Sequence, residues 1–116
     1  MKYWIISKTQ IMMKAKTDWK NFKINVAVQV LPEAEGKIKY SLVDTAIESI
    51  QQSGLRYQVC PFETVVECNF NQLPELLANL HEACMEAGTE QMLTNLKIQV
   101  NFKNDVTIED KMAKYS

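Results

Sequence analysis

Apolar side chains fall at every second position from Ile24 through Val26 and Val28 to Val30, the period of a strand with one face buried. The alternation predicts a strand over residues 23–31. Pro32 closes it, because proline has no N–H to give to a ladder. After a loop that ends near Lys37 the period changes. Leu42, Val43, Ala46, Ile47 and Ile50 recur at three and four residues, which puts them on one face of a helix over residues 38–53. Asp44, Glu48 and Gln51 fall toward the other side, and Gly54 stands where a left-handed C-terminal cap is usual.

Two short strands follow, over residues 55–60 and 64–70. The connection Pro61-Phe-Glu63 between them is too short for a parallel crossover, so they form an antiparallel hairpin. A second helix comes next. Asn71 suits its N-cap, Pro74 its first turn and Glu75 its positive end. Leu73, Leu76, Leu77, Leu80, Ala83, Cys84 and Ala87 form its apolar stripe, and Gly88 ends it. The last strand is expected over residues 91–102, with Met92, Leu96, Ile98 and Val100 on it. A polar tail adds one helical turn at residues 108–112.

The order is therefore β-α-β-β-α-β. Right-handed crossovers close it as an α+β, ferredoxin-like sandwich, a four-stranded antiparallel sheet with both helices on one face. The chain divides into a basic extension (1–22), the domain itself (23–103) and the polar tail (104–116). The second sheet face is left bare by the helices, with Ala27, Gln29, Leu31, Tyr57 and Val65 expected on it. A half-apolar face of this kind suits a second subunit or a ligand.

Composition sharpens this picture at few points. With 116 residues and 47% hydrophobic content, the chain is one domain with a core that needs no disulfide or metal. Net charge is −1, but it is unevenly spread. Residues 1–23 carry six lysines and one acid, whereas residues 24–116 carry seven basic and thirteen acidic side chains. The body of the domain therefore repels phosphates and favours cations, which argues against a nucleic-acid partner. No apolar run approaches the ~20 residues of a membrane span. The start of the chain is too short and too mixed for a secretory leader. Tyr3, Trp4, Ile5 and Ile6 are expected to pack on the domain or on a neighbouring subunit. Cys60, Cys68 and Cys84 make an odd set without a CxxC pair. They read as small hydrophobes rather than as a disulfide framework or a zinc site.

Catalytic constellations are missing from the sequence. The single histidine, His81, has no evident nucleophile beside it, and no phosphate-binding glycine loop or nucleophile elbow occurs. The third strand lacks the aromatic series of an RNA-binding sheet. The first loop, rich in glutamate, is unsuited to holding a phosphate. A binding module that uses no cofactor is the remaining reading.

An ordered series of residues resembles the YkoF-like thiamine-binding proteins. It runs from Val28-Gln-Val-Leu-Pro32 through Tyr40 and Asp44 to Ser53-Gly-Leu-Arg-Tyr57, Pro61 and Thr64-Val-Val-Glu67. It continues with His81-Glu-Ala83, Ala87-Gly88, Thr94-Asn-Leu-Lys-Ile98 and Val106-Thr-Ile-Glu-Asp-Lys-Met112. Two departures stand out: Cys68 where that family often has glycine, and Gln99-Val-Asn-Phe102 where it often has an Asp-Asp-Arg run. The resemblance implies a ferredoxin-like fold and non-catalytic, cytosolic binding of thiamine or a related hydroxymethylpyrimidine. It also implies homo-oligomers, dimers or tetramers. Such a ligand needs an apolar or aromatic slot, a few convergent polar groups and an acid near its cation. Tyr40, Asp44, Tyr57, Thr64, Glu67 and Thr94 supply those groups and are the expected ligand-binding residues. The alternative is a structural or regulatory self-associating domain without a small ligand. A small enzyme built on His81 is a weaker third reading.

Overall fold

Four strands and two long helices alternate in the expected order in the computed structural model, which describes residues 19–115. Tyr3, Trp4, Ile5 and Ile6, and most of the basic extension, lie outside the described residues. Strand β1 is Lys23–Glu33, helix α1 Lys39–Gln52, β2 Arg56–Val59, β3 Thr64–Asn69, helix α2 Leu73–Glu86 and β4 Gln91–Gln99, and a short helix α3 spans Ile108–Met112. The sheet is antiparallel throughout, in the order β2-β3-β1-β4.

The core lies between the sheet and the two long helices. Ile24, Val26 and Val28 on β1 meet Val66 on β3, Ile50 on α1, and Leu76 and Leu80 on α2, all buried. Residues facing each other in an antiparallel ladder share a sheet face, so the register assigns the faces directly. Val26 pairs with both Val66 and Ile98 on the helix side, and Ala27 pairs with Val65 and Lys97 on the bare side. Gln29 and Leu31 lie with Ala27, as the alternation predicts. Tyr57 does not. It stands opposite Val66 and packs against the core on the helix side, while its neighbours Arg56 and Gln58 take the bare face.

Three boundaries differ from expectation for identifiable reasons. Strand β1 continues through Pro32 to Glu33, with Pro32 opposite Met92. Its pairing with β3 ends at Val28, so this stretch has a strand on one side only and tolerates a missing donor. The N-cap of the second helix is Gln72 rather than Asn71, and the helix is entered through a 3-10 turn, Phe70–Gln72, that is capped at Asn69. There the Gln72 side chain accepts the Asn69 N–H at 3.0 Å. Strand β4 stops at Gln99 because Asn101 turns the chain: its Oδ1 accepts the N–H groups of Lys103 and Asn104 at 2.8 and 3.2 Å.

The exit of α2 follows its sequence signal. Gly88 adopts φ +101°, with Gly88 N–H on the Met85 carbonyl and Thr89 N–H on the Cys84 carbonyl, both at 3.0 Å. This is the paired bond pattern that a glycine in left-handed conformation permits.

The C-terminal segment returns to the bare sheet face. Asp105 accepts the Lys23 N–H and Val106 donates to the Lys23 carbonyl, each at 2.8 Å. Thr107 caps α3 by accepting the Asp110 N–H at 3.0 Å. Val106 and Ile108 are buried. The segment beyond Asn104 thus covers the end of the sheet where β1 begins. At the same end, Trp19 stacks edge-on against Phe70 and Phe102, with ring centroids 5.2 and 5.4 Å away.

Candidate functional site

The antiparallel hairpin carries the β2–β3 connection alongside α1, and the far half of β1 forms the floor between them. A groove of about 370 Å³ results, within the range of small-molecule sites. Val30, Val43, Ile47 and Val59 supply apolar wall, and Thr64 is a polar residue of the lining. Tyr40 and Phe62 also line it and are 82% and 81% exposed. Large rings left in water at the edge of a concave apolar surface leave room for a flat guest to stack. Glu63 also borders it, but its carboxylate is paired at 2.8 Å with Lys97 Nζ, a lysine of the bare sheet face.

Of the six residues expected to bind ligand, Tyr40 and Thr64 line this groove. Asp44 lies exposed on α1 and does not line it. Tyr57 is held in the core layer by its register opposite Val66. Glu67 and Thr94 have other partners. Phe62 and Glu63 belong to the groove although the sequence reading passed over them. The available signal was a large apolar ring in a short hairpin connection, where nothing within the hairpin can cover it.

Glu67 sits on the bare sheet face, opposite Asn25 and Arg56, and is only 8% exposed. Burial of such an acid requires partners, and it has them. Oε1 accepts the Ile108 N–H at 2.9 Å, and Oε2 lies 3.9 Å from Lys23 Nζ. The C-terminal segment, not the helix layer, buries this carboxylate. Thr94, opposite Val30 on the helix side, meets His81: its Oγ1 is 2.7 Å from Nε2, and Nδ1 is 2.7 Å from the Leu77 carbonyl. A carbonyl only accepts, so Nδ1 carries a proton. In the neutral ring Nε2 then accepts from the Thr94 hydroxyl. A trough of about 480 Å³ runs past His81 and Met92. It is wider open than the groove at α1, and both nitrogens of its histidine are already taken.

The thiols sort by burial. Cys68 and Cys84 are buried and Cys60 is half-buried. Burial, and next the Glu67 carboxylate, pushes the Cys68 thiol up to about 11, and burial raises that of Cys84. Among the described residues, no cluster of histidine, cysteine and carboxylate side chains is arranged to hold a metal ion. No helix among them is long and apolar enough to cross a membrane.

A ferredoxin-like α+β domain with one apolar, aromatic-edged groove between its first helix and its central hairpin is the class of protein this structure defines. Its sequence matches the thiamine-binding protein family over residues 26–116, and the chain belongs to that family. It is 35% identical over 91 residues to a UPF0045 protein of Clostridium perfringens, covering 78% of this chain and 95% of the relative. Among solved structures, a DUF77 domain from Bacillus cereus superposes with a TM-score of 0.76 at 38% identity, covering 82% of this chain and 91% of the other. A protein of Thermotoga maritima, provisionally assigned to thiamine biosynthesis or salvage, superposes with a TM-score of 0.73 at 29% identity, covering 81% and 99%.

Proposed function

We propose that this protein binds thiamine or a related hydroxymethylpyrimidine, without chemical conversion, in the groove between α1 and the β2–β3 connection. The observation that carries the reading is the pairing of Tyr40 and Phe62, both largely exposed, at a groove of about 370 Å³ in a chain of the thiamine-binding protein family. A thiazolium cation gains from aromatic faces, which Tyr40 and Phe62 offer at the groove. A pyrimidine ring needs apolar wall, which Val43, Ile47 and Val59 provide, and a polar edge, for which Thr64 stands ready. Catalysis would require a nucleophile or base free to act, whereas His81 is committed on both ring nitrogens.

The same reading makes the protein a cytoplasmic homo-oligomer. Three unpaired thiols suit a reducing compartment. Strand β4 is a sheet edge whose Leu93, Leu96 and Ile98 are 60%, 36% and 42% exposed, a surface that favours pairing with another copy. Those three side chains also support the second reading, a self-associating domain with no small ligand. Calorimetric titration with thiamine and with hydroxymethylpyrimidine separates the two. Saturable binding that Tyr40→Ala weakens supports the first. Stable oligomers with no heat of binding for either ligand support the second.

A further inference from the structure

We propose a second, smaller binding pocket on the opposite sheet face, under α3, that takes a neutral planar molecule presenting a hydrogen-bond acceptor and donor side by side, as a primary carboxamide does. The register aligns Arg56, Glu67, Asn25 and Gln99 in one row across that face, one residue from each strand. Helix α3 occupies three of the four. Glu109 meets Arg56 at 3.5 Å, the Ile108 N–H donates to Glu67 at 2.9 Å, and Lys111 Nζ donates to Gln99 Oε1. Asn25, in the middle of the row, is left out. It is 4% exposed, and neither its Oδ1 nor its Nδ2 has a hydrogen-bond partner.

A buried amide with both ends unsatisfied is rare, because each end loses water and gains nothing. Here the amide borders a cavity of about 120 Å³, whose other walls include Cys60, Val65, Ile108 and Met112. The cavity thus combines one unmet acceptor–donor edge with a largely apolar lining. A primary carboxamide matches that edge, C=O to N–H and N–H to C=O, and a flat apolar body matches the walls. Lys111 also lines the cavity, but its ammonium is taken up by Gln99 Oε1, and Glu67 by Ile108 and Lys23, so the unmet groups are the neutral ones of Asn25. Entry does not require unfolding. Met112, on the rim, is 41% exposed, and α3 is a single short helix fastened by side chains. None of this depends on what occupies the groove at α1.

The test is a titration of the ¹⁵N-labelled protein with benzamide, following the Asn25 Nδ2 proton pair assigned by triple-resonance spectroscopy. The pair should move saturably with benzamide and at much higher concentration, if at all, with N,N-dimethylbenzamide, which keeps the acceptor for Nδ2 but lacks the donor for Oδ1. In Asn25→Leu, which keeps the volume and removes the edge, benzamide should bind about tenfold more weakly or not at all. Equal movement with both amides, or no movement up to the solubility limit of benzamide, would overturn the proposal. So would undiminished benzamide affinity in the folded Asn25→Leu variant. Should that variant misfold, the titration of the unsubstituted protein decides alone.

Discussion

Glu67 Oε1 accepts the backbone N–H of Ile108 at 2.9 Å, across 41 residues of chain, and by that bond a carboxylate of the sheet anchors the first turn of α3. The position is favourable for an anion, since the opening N–H groups of a helix have no partners within it. Lys23, 3.9 Å away, adds a second and more exposed interaction. Val106 and Ile108 are buried as a consequence, and the bare sheet face is covered at one end.

Glu67→Ala should therefore destabilise the fold by about 2–3 kcal/mol, the range for removing a buried charged acceptor, measured as a lower urea midpoint. Glu67→Gln keeps an acceptor and should lose less than half as much. Affinity for thiamine in the groove should change little in either variant, because Glu67 does not line it.

The hydrogen bond between His81 and Thr94 ties α2 to the edge strand. Thr94→Val should lower stability by about 1 kcal/mol while leaving the far groove intact. Nitrogen-coupled NMR of His81 at neutral pH should show the Nδ1-protonated tautomer, fixed by the Leu77 carbonyl.

Alkaline stability should bear the mark of Cys68. Its folded thiol is pushed up to about 11 from an ordinary value of 9.0, chiefly by burial. Between those values the unfolded chain releases the proton and the folded chain keeps it. The unfolded state then binds fewer protons, so stability falls as pH rises through this window. Denaturation midpoints measured from pH 8 to about 11 should decline more steeply for the natural protein than for Cys68→Ala, once that variant's pH-independent loss is subtracted.

Much of the architecture was legible in the hydrophobic pattern, because burial against one face imposes its period on β1 and on both long helices. Position on the sheet was harder to read. Tyr57 was expected on the bare face. A strand of four residues carries too little alternation to state its face, and the pairing with Val66 decides it. Pro32 misled as a stop signal because its place beside a single neighbouring strand is a tertiary fact. The site was legible only in part. Tyr40 and Thr64 both line the groove. Phe62 and Glu63 join them because the hairpin folds back along α1, which no local period records. Asn25 looks in sequence like one more outward-facing polar position. Only the return of α3 buries it.

Groove side chains that are exposed can be removed without injuring the core. Tyr40→Ala and Phe62→Ala should each leave the melting temperature within about a degree of the natural protein, as surface changes do. Each should weaken thiamine binding by roughly three- to tenfold, the loss of a cation–aromatic contact. Thr64 is itself buried, so Thr64→Val, of equal volume, is the appropriate probe of its hydroxyl.

The most direct measurement is thermal unfolding of the natural protein across a thiamine titration. A ligand that binds only the folded state adds about 2.7 kcal/mol at one hundred times its Kd, which is roughly ten degrees for a domain of this size. The account predicts a saturable rise of that order, reduced in Tyr40→Ala and Phe62→Ala and unchanged in Thr94→Val. A melting temperature that stays constant up to millimolar thiamine and hydroxymethylpyrimidine would contradict it.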